Sequence, residues 1–209
     1  MADIAFEVGS ALYSSGCLKF GSFRIRSGAS SPYYIDLASL LSSPKDLCTV
    51  TEIAANRIRL VAASTRIDKL ASIELKGALL LAGIGCRTGL PCTVVRKEEK
   101  TYGATGRIAG AEVARGDHIL FFDDVVSEGL SKLEGIKPLE QLGAKVENIM
   151  VVVDREQGGR ENLETAGYRV HSLARVSELA DSLFQSKRIS KEQADAVLNY
   201  IKNRDCHAC

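Results

Sequence analysis

Two adjacent carboxylates, Asp123 and Asp124, stand between an apolar run, Ile119 to Phe122, and a short turn, Val125-Val126-Ser127-Glu128-Gly129-Leu130-Ser131. The run begins just after Gly116-Asp117 and reads as a buried parallel strand. The turn feeds a helical pattern. A glycine-containing turn at a helix N-terminus offers free backbone N–H groups and the positive end of the helix dipole, which together suit a phosphate. Carboxylates would repel that phosphate, so the two acids make sense beside it as holders of ribose hydroxyls or of a metal ion. Phosphate at the turn and hydroxyls at the acids describe a phosphorylated sugar. A plain strand–turn–helix with two surface aspartates would fit the same residues. The turn is neither a Walker A loop, which needs Gly followed by Lys and Ser/Thr, nor a dinucleotide fingerprint.

Cations are the other half of such chemistry. Arg96, Lys97 and Lys100 fall in the polar, glycine-bearing run Arg96 to Arg107, directly after a strand pattern over 92–95. A run of this kind inside a compact domain is usually mobile and often functional. Lys76 precedes Gly77 at the end of an apolar stretch, 70–73, and suits an anion, although an exposed loop lysine is the commoner use. Arg155 follows the strand pattern 146–153 and precedes Gly158-Gly159, where a guanidinium can fork a carboxylate or pair with Asp154 or Glu156. His118, His171 and His207 lie outside all these groups, so a Ser/Cys–His hydrolase has no support. The tail Cys206-His207-Ala208-Cys209 lacks the second ligand pair that a metal site needs.

The elements that must position these residues can be read from periodicity. A helix is expected over 3–15, a strand pair with a turn over 18–28, a break at Ser30-Ser31-Pro32 and a strand at 33–37. A helix opens at Ser43-Pro44, and helices follow over 78–88, from 133 to a stop at Gly143, over 160–167, and from Ser177 and Ser190. Gly83, Gly85 and Gly89 read as close helix packing. Alternating strands and helices imply an α/β, doubly wound, mainly parallel sheet flanked by helices. The 209 residues suggest one domain, with 45% hydrophobic and 25% charged residues, ordinary for a globular chain. A net charge of +1 gives no whole-chain case for nucleic acid. No apolar run approaches the roughly 20 residues of a membrane span. The N-terminus has no basic region of a signal peptide and the six cysteines form no framework, so the expected location is cytoplasmic with reduced thiols.

Four stretches resemble one family. The turn, with two acids, two apolar residues, a small turn and a hydroxyl, resembles the phosphoribosyl-pyrophosphate loop of type I phosphoribosyltransferases. KFGSFRIRSG with SSPYYIDL, the 96–107 run and DREQGG resemble the orotate phosphoribosyltransferases, in the family's order and over about residues 12 to 200. The resemblance implies a small N-terminal hood, about 1–40, over the carboxyl edge of the strands, and a core of about 44–205. It implies transfer of phosphoribosyl from phosphoribosyl pyrophosphate to orotate, giving orotidine monophosphate in pyrimidine synthesis, with Mg²⁺ held mainly by substrate oxygens. Lys19 matches the family lysine that reaches the site; Tyr33, Tyr34 and Ser127 would border orotate, and Arg155 would bind its carboxylate. Lys76 would meet pyrophosphate. Arg96, Lys97, Lys100 and Tyr102 would form the catalytic loop, reaching across a homodimer to the neighbouring site. Asp123 and Asp124 would grip the ribose hydroxyls, with Val125 to Ser131 at the 5′-phosphate. A non-catalytic sensor of phosphoribosyl pyrophosphate and a purine phosphoribosyltransferase are the alternatives. The first would need neither Lys100 nor Arg155, and the second would lack the DREQGG fork. Glu128 departs from the family, whose loop has a small residue there. It is expected to point into solvent, or else to be offset by Lys132, Arg24 or Arg26.

Overall fold

The computed structural model describes residues 3–24, 28, 30–100 and 106–205, with the main chain only at 100, 204 and 205. Arg26, Tyr102, the Lys100 side chain and the Cys206–Cys209 tail therefore lie outside the described residues. Helix α1 (Ile4–Ser14) starts where the Asp3 carboxylate accepts from the Ala5 N–H. Strands β1 (Leu18–Arg24) and β2 (Ser30–Ile35) then form a separate antiparallel pair. The sequence suggested two strands within 18–28 and a break at Pro32. Instead, one bulged strand pairs with a second strand that runs through Pro32. Proline is tolerated there because in a two-stranded sheet each strand has a free edge, toward which a missing N–H costs no ladder bond.

A 3₁₀ turn (Leu37–Ser42) and α2 (Pro44–Ala62) lead into the main sheet. In order come β3 (Lys69–Ile73), α3 (Lys76–Thr88), β4 (Cys92–Lys100), β5 (Gly106–Gly110), β6 (His118–Val126), α4 (Leu130–Gln141), β7 (Lys145–Asp154), α5 (Gly159–Thr165), β8 (Arg169–Arg175), α6 (Val176–Gln185) and α7 (Lys191–Asp205). The strand order is β5-β4-β3-β6-β7-β8, parallel throughout except for β5 against β4. This is the expected doubly wound, mainly parallel sheet. Its inner strands are apolar on both faces because helices cover both. In β6, Leu120 and Phe122 join the core under α1, α2, α3 and α6, while Ile119 and Phe121 join the core under α4 and α5.

Two expectations change. The 96–107 run is not a loop from its start: β4 continues through Lys100 and the chain returns as β5. A peripheral antiparallel ribbon can be solvated, so its polar residues hid a strand. Gly83 and Gly85 do pack closely, Gly83 against Thr51 and Gly85 where a Cβ would collide with Cys92 Sγ. Gly89, however, has open space around it and serves as the left-handed C-cap of α3 at φ 73°. Among the described residues no helix is long and apolar enough to cross a membrane, and Cys17, Cys48, Cys86 and Cys92 are free thiols.

Candidate active site at the switch point

The chain leaves β3 outward through β4 and β5, then returns to β6 on the other side of β3 and moves outward again through β7 and β8. The crevice beyond the carboxyl ends of β3 and β6 is where such a sheet takes ligands. Two helices begin there, α3 after β3 and α4 after β6, and neither has a side-chain cap. Their first-turn N–H groups therefore face the crevice end of the sheet without a side-chain acceptor. The peptide between Glu74 and Leu75, just before α3, is cis.

Asp123 and Asp124 are 5% and 8% exposed, in the last turn of pleat of β6. Asp123 Oδ2 lies 2.6 Å from Lys132 Nζ, and its Oδ1 accepts from the Asp124 N–H at 2.9 Å. Gly77 lets the first turn of α3 close over this carboxylate, since a Cβ there would run into Asp123 and Ser72. Burial and the neighbouring Asp123 charge push the Asp124 carboxyl up to about 6, against the attraction of Lys132 and Lys76.

The turn after β6 is braced from α5. Gly129 takes a left-handed φ of 91° ahead of α4. Asn162 Nδ2 donates to the Glu128 carbonyl at 3.1 Å, and a Cβ on Gly159 would strike the Ser127 carbonyl. Val126 is in the core, Val125 and Ser127 are half-buried, and Glu128, Leu130 and Ser131 are exposed. Of the two expectations for Glu128, the solvent-facing one is met. Lys132 next door is taken by Asp123.

Arg155 leaves the end of β7 toward the hood. Its Nε donates to Tyr33 Oη and its Nη1 to Ser127 Oγ, each at 3.4 Å, and its guanidinium sits 5.1 Å from the Tyr33 ring centroid. Gln157 Nε2 reaches the same hydroxyl at 3.4 Å. Between them Glu156 adopts φ 54°, with its carboxylate held by the Ser177 N–H at 2.8 Å and hydroxyl at 3.0 Å. That clamp turns the residues on either side of Glu156 toward Tyr33. Tyr33 is fully buried and meets Tyr200 of α7 edge to face, while Tyr34 and its cross-strand partner Lys19 are exposed. A second tie fastens the hood to α3: Lys76 Nζ pairs with Asp36 at 3.0 Å. Burial works to lower the Lys76 pKa, but Asp36 and the field of Asp124 hold it above the usual lysine value.

Thus Lys76, Asp123, Asp124, the turn, Tyr33 and Arg155 come together. The ribbon residues behave differently. The Arg96 guanidinium donates to the Gly106 carbonyl across the ribbon at 2.8 Å, and Lys97 is exposed, its N–H on Glu74 Oε1 at 2.6 Å. Sequence reasoning missed Asp36, Gln157, Asn162 and the Lys132–Asp123 pair. Only Lys132 left a signal, as a charge in register with Ile136 and Leu139 on the buried stripe of α4.

Paired acids between two open helix N-termini, at the switch point of a doubly wound α/β sheet, form an arrangement suited to a phosphorylated sugar or nucleotide. No family model matches the chain. It is 36% identical over 181 residues to the orotate phosphoribosyltransferase of Pyrococcus abyssi, covering 87% of this chain and 96% of that one. Among solved structures, the orotate phosphoribosyltransferase of Aeropyrum pernix superposes with a TM-score of 0.73 at 26% identity, over 85% of this chain and 98% of that one. Leishmania donovani UMP synthase gives a TM-score of 0.84 at 29% identity over 95% of this chain, which spans 42% of that longer protein. The chain belongs to the orotate phosphoribosyltransferase family.

Proposed function

We propose that the chain transfers a 5-phosphoribosyl group from phosphoribosyl pyrophosphate to orotate, giving orotidine 5′-monophosphate and pyrophosphate, a step of pyrimidine synthesis. The observation that carries this reading is Arg155, a guanidinium within 3.4 Å of both the hood's Tyr33 and the turn's Ser127. A base bearing a carboxylate would meet its fork there, directly beside a bound sugar phosphate. Tyr34, Lys19 and Ser127 would border the ring, with the fully buried Tyr33 backing Arg155 from behind. Main-chain N–H groups of Val125 to Ser131 and the α4 dipole would take the 5′-phosphate. Asp123 and Asp124 would take the 2′ and 3′ hydroxyls, and Lys76 at the start of α3 the diphosphate.

In the reaction the C1–oxygen bond breaks and its electron pair leaves on pyrophosphate. The ring nitrogen of orotate, its proton lost to solvent, supplies the pair of the new bond. The ribosyl carbon becomes cationic, which the nearby carboxylates favour. The leaving group gains negative charge, which Lys76, Arg96, Lys97 and Lys100 would stabilise, with Tyr102 adding a hydroxyl donor. Closure over the site strengthens these interactions by excluding water. No nucleophilic side chain is required.

Among the described residues no cluster of three or more His, Cys, Asp or Glu could enclose a metal ion. Mg²⁺ would come in on the substrate, held mainly by its diphosphate and ribose oxygens, the usual way this cation is bound at phosphate sites. Once bound it would offset charge on the diphosphate. The same reading takes 1–209 as one phosphoribosyltransferase domain, cytoplasmic, and working as a homodimer whose 96–107 arms exchange between sites. The test is an absorbance assay of orotate loss with phosphoribosyl pyrophosphate and Mg²⁺, with uracil and hypoxanthine run alongside. Orotate alone should be consumed. Preference for hypoxanthine would favour the purine reading, and binding without turnover of any base the sensor reading.

A further inference from the structure

Lys132 is the only buried lysine or arginine among the described residues, at 4% exposure. Two forces oppose a cation there. Burial strips its water, and it stands in the first turn of α4, where the helix dipole presents its positive end. What offsets them is on the site itself. The ammonium pairs with Asp123 Oδ2 at 2.6 Å and donates to Ser131 Oγ at 3.2 Å. Asp123 is the acid locked on its other oxygen by the Asp124 N–H, against Gly77. Ser131 is the last hydroxyl of the turn. One side chain therefore ties the half of the crevice suited to ribose hydroxyls to the half suited to phosphate.

We propose that Lys132 is a positioning residue of the sugar-phosphate site, holding Asp123 and the Ser131 hydroxyl in the arrangement that receives a ribose 5-phosphate group. The inference rests on the function proposed above. An ammonium donating to Ser131 Oγ occupies a lone pair and leaves the hydroxyl proton to be given to a phosphate oxygen. The same ammonium offsets the charge of one of two adjacent carboxylates. A merely structural pair would instead only fasten α4 to β6.

Lys132→Met keeps an unbranched side chain one atom shorter and removes its charge. The full chain and the variant are compared by calorimetry for dissociation of ribose 5-phosphate and of orotate, with melting temperature alongside. Ribose 5-phosphate should weaken by about tenfold or more and orotate by less than about twofold. In an Asp123→Asn background, adding Lys132→Met should change ribose 5-phosphate affinity by less than about twofold, because the two residues act as one unit. Equal weakening of both ligands in step with lost stability would make Lys132 structural and overturn the proposal, as would full additivity with Asp123→Asn. If Lys132→Met does not fold, the double variant, which removes both buried charges together, is compared with Asp123→Asn alone. Equal affinity supports the proposal, and a further loss of about tenfold overturns it. A wild-type chain that binds ribose 5-phosphate but consumes no orotate refutes the proposed activity alone. A Lys132→Met variant that binds ribose 5-phosphate as the wild type does refutes the role of Lys132 alone.

Discussion

In the proposed reaction, single residues carry the division of labour between the two substrates. Arg155 faces the hood and the turn, so Arg155→Ala should weaken orotate by roughly 1.5–3 kcal/mol, the worth of a charge-assisted fork. Phosphoribosyl pyrophosphate should bind nearly as before; if orotate affinity in a binding titration barely moved, Arg155 would be a structural link to Tyr33. Glu128 is exposed beside the turn. Glu128→Thr should tighten phosphoribosyl pyrophosphate by up to about 1 kcal/mol at low salt, and the gain should fade as added salt screens the charge. Weaker binding in that variant would give Glu128 a positive role. Asp124 titrates near 6, above the ordinary 3.8 of a free aspartate, because it is buried next to Asp123. A raised carboxyl pKa contributes stability that is full below about 3.8 and is lost as pH rises through about 6. Asp124→Asn should therefore be more stable than wild type at pH 8, by on the order of 1–3 kcal/mol, with the gap closing toward pH 4. Denaturant melts at the two pH values measure this, and a gap independent of pH would contradict the assignment. Asp123, Asp124 and Arg155 were legible in the sequence because each sits at the junction of an apolar run and a glycine turn. The partners that lock them were not. Lys132 meets Asp123 across a helix–strand contact, and Asp36 meets Lys76 from a distant segment, through folding that local patterns do not encode.

At the scale of elements the β4–β5 ribbon is the unusual part. The last in-register pair of β3 with β4 is Ile73 with Val95. Residues 96–100 then run five residues past it, about 16 Å at the usual strand rise. Lys100 is the last residue of β4, at the ribbon's outer end. The proposed role of Lys100 is in a neighbour's transition state. Lys100→Ala should lower turnover by orders of magnitude while orotate binding stays nearly intact. Equal losses in the binding of both substrates would remove that role. The ribbon was read as a loop because charged residues obscured its pairing, whereas the inner strands declared themselves as unbroken apolar runs. Hood strand β2 was half legible: Tyr33 to Ile35 stood out, and Pro32 concealed the start.

At the scale of the whole molecule, the proposed exchange of arms between subunits would make activity a property of the pair. Mixing Lys100→Ala with Arg155→Ala chains should restore part of the activity, because one of the two sites in a mixed dimer then carries neither lesion. Absence of recovery, with mixed dimers verified by mass, would mean that each arm serves its own crevice. The alternation of strand and helix patterns made the fold class legible early, but no pattern in one chain reveals a symmetric partner.

The hood has a further consequence for how the protein is made. Tyr33 belongs to β2, near the start of the chain, yet the ring that meets it from behind is Tyr200 of α7, about 170 positions later. During synthesis the acids of β6 and the turn before α4 emerge well ahead of that helix. On a ribosome adding about 5–20 residues per second, the phosphate-facing half can assemble while the base-facing half still lacks its backing. On the proposed roles, a nascent chain would complete the surface for sugar phosphate before the backing of the surface that selects the base.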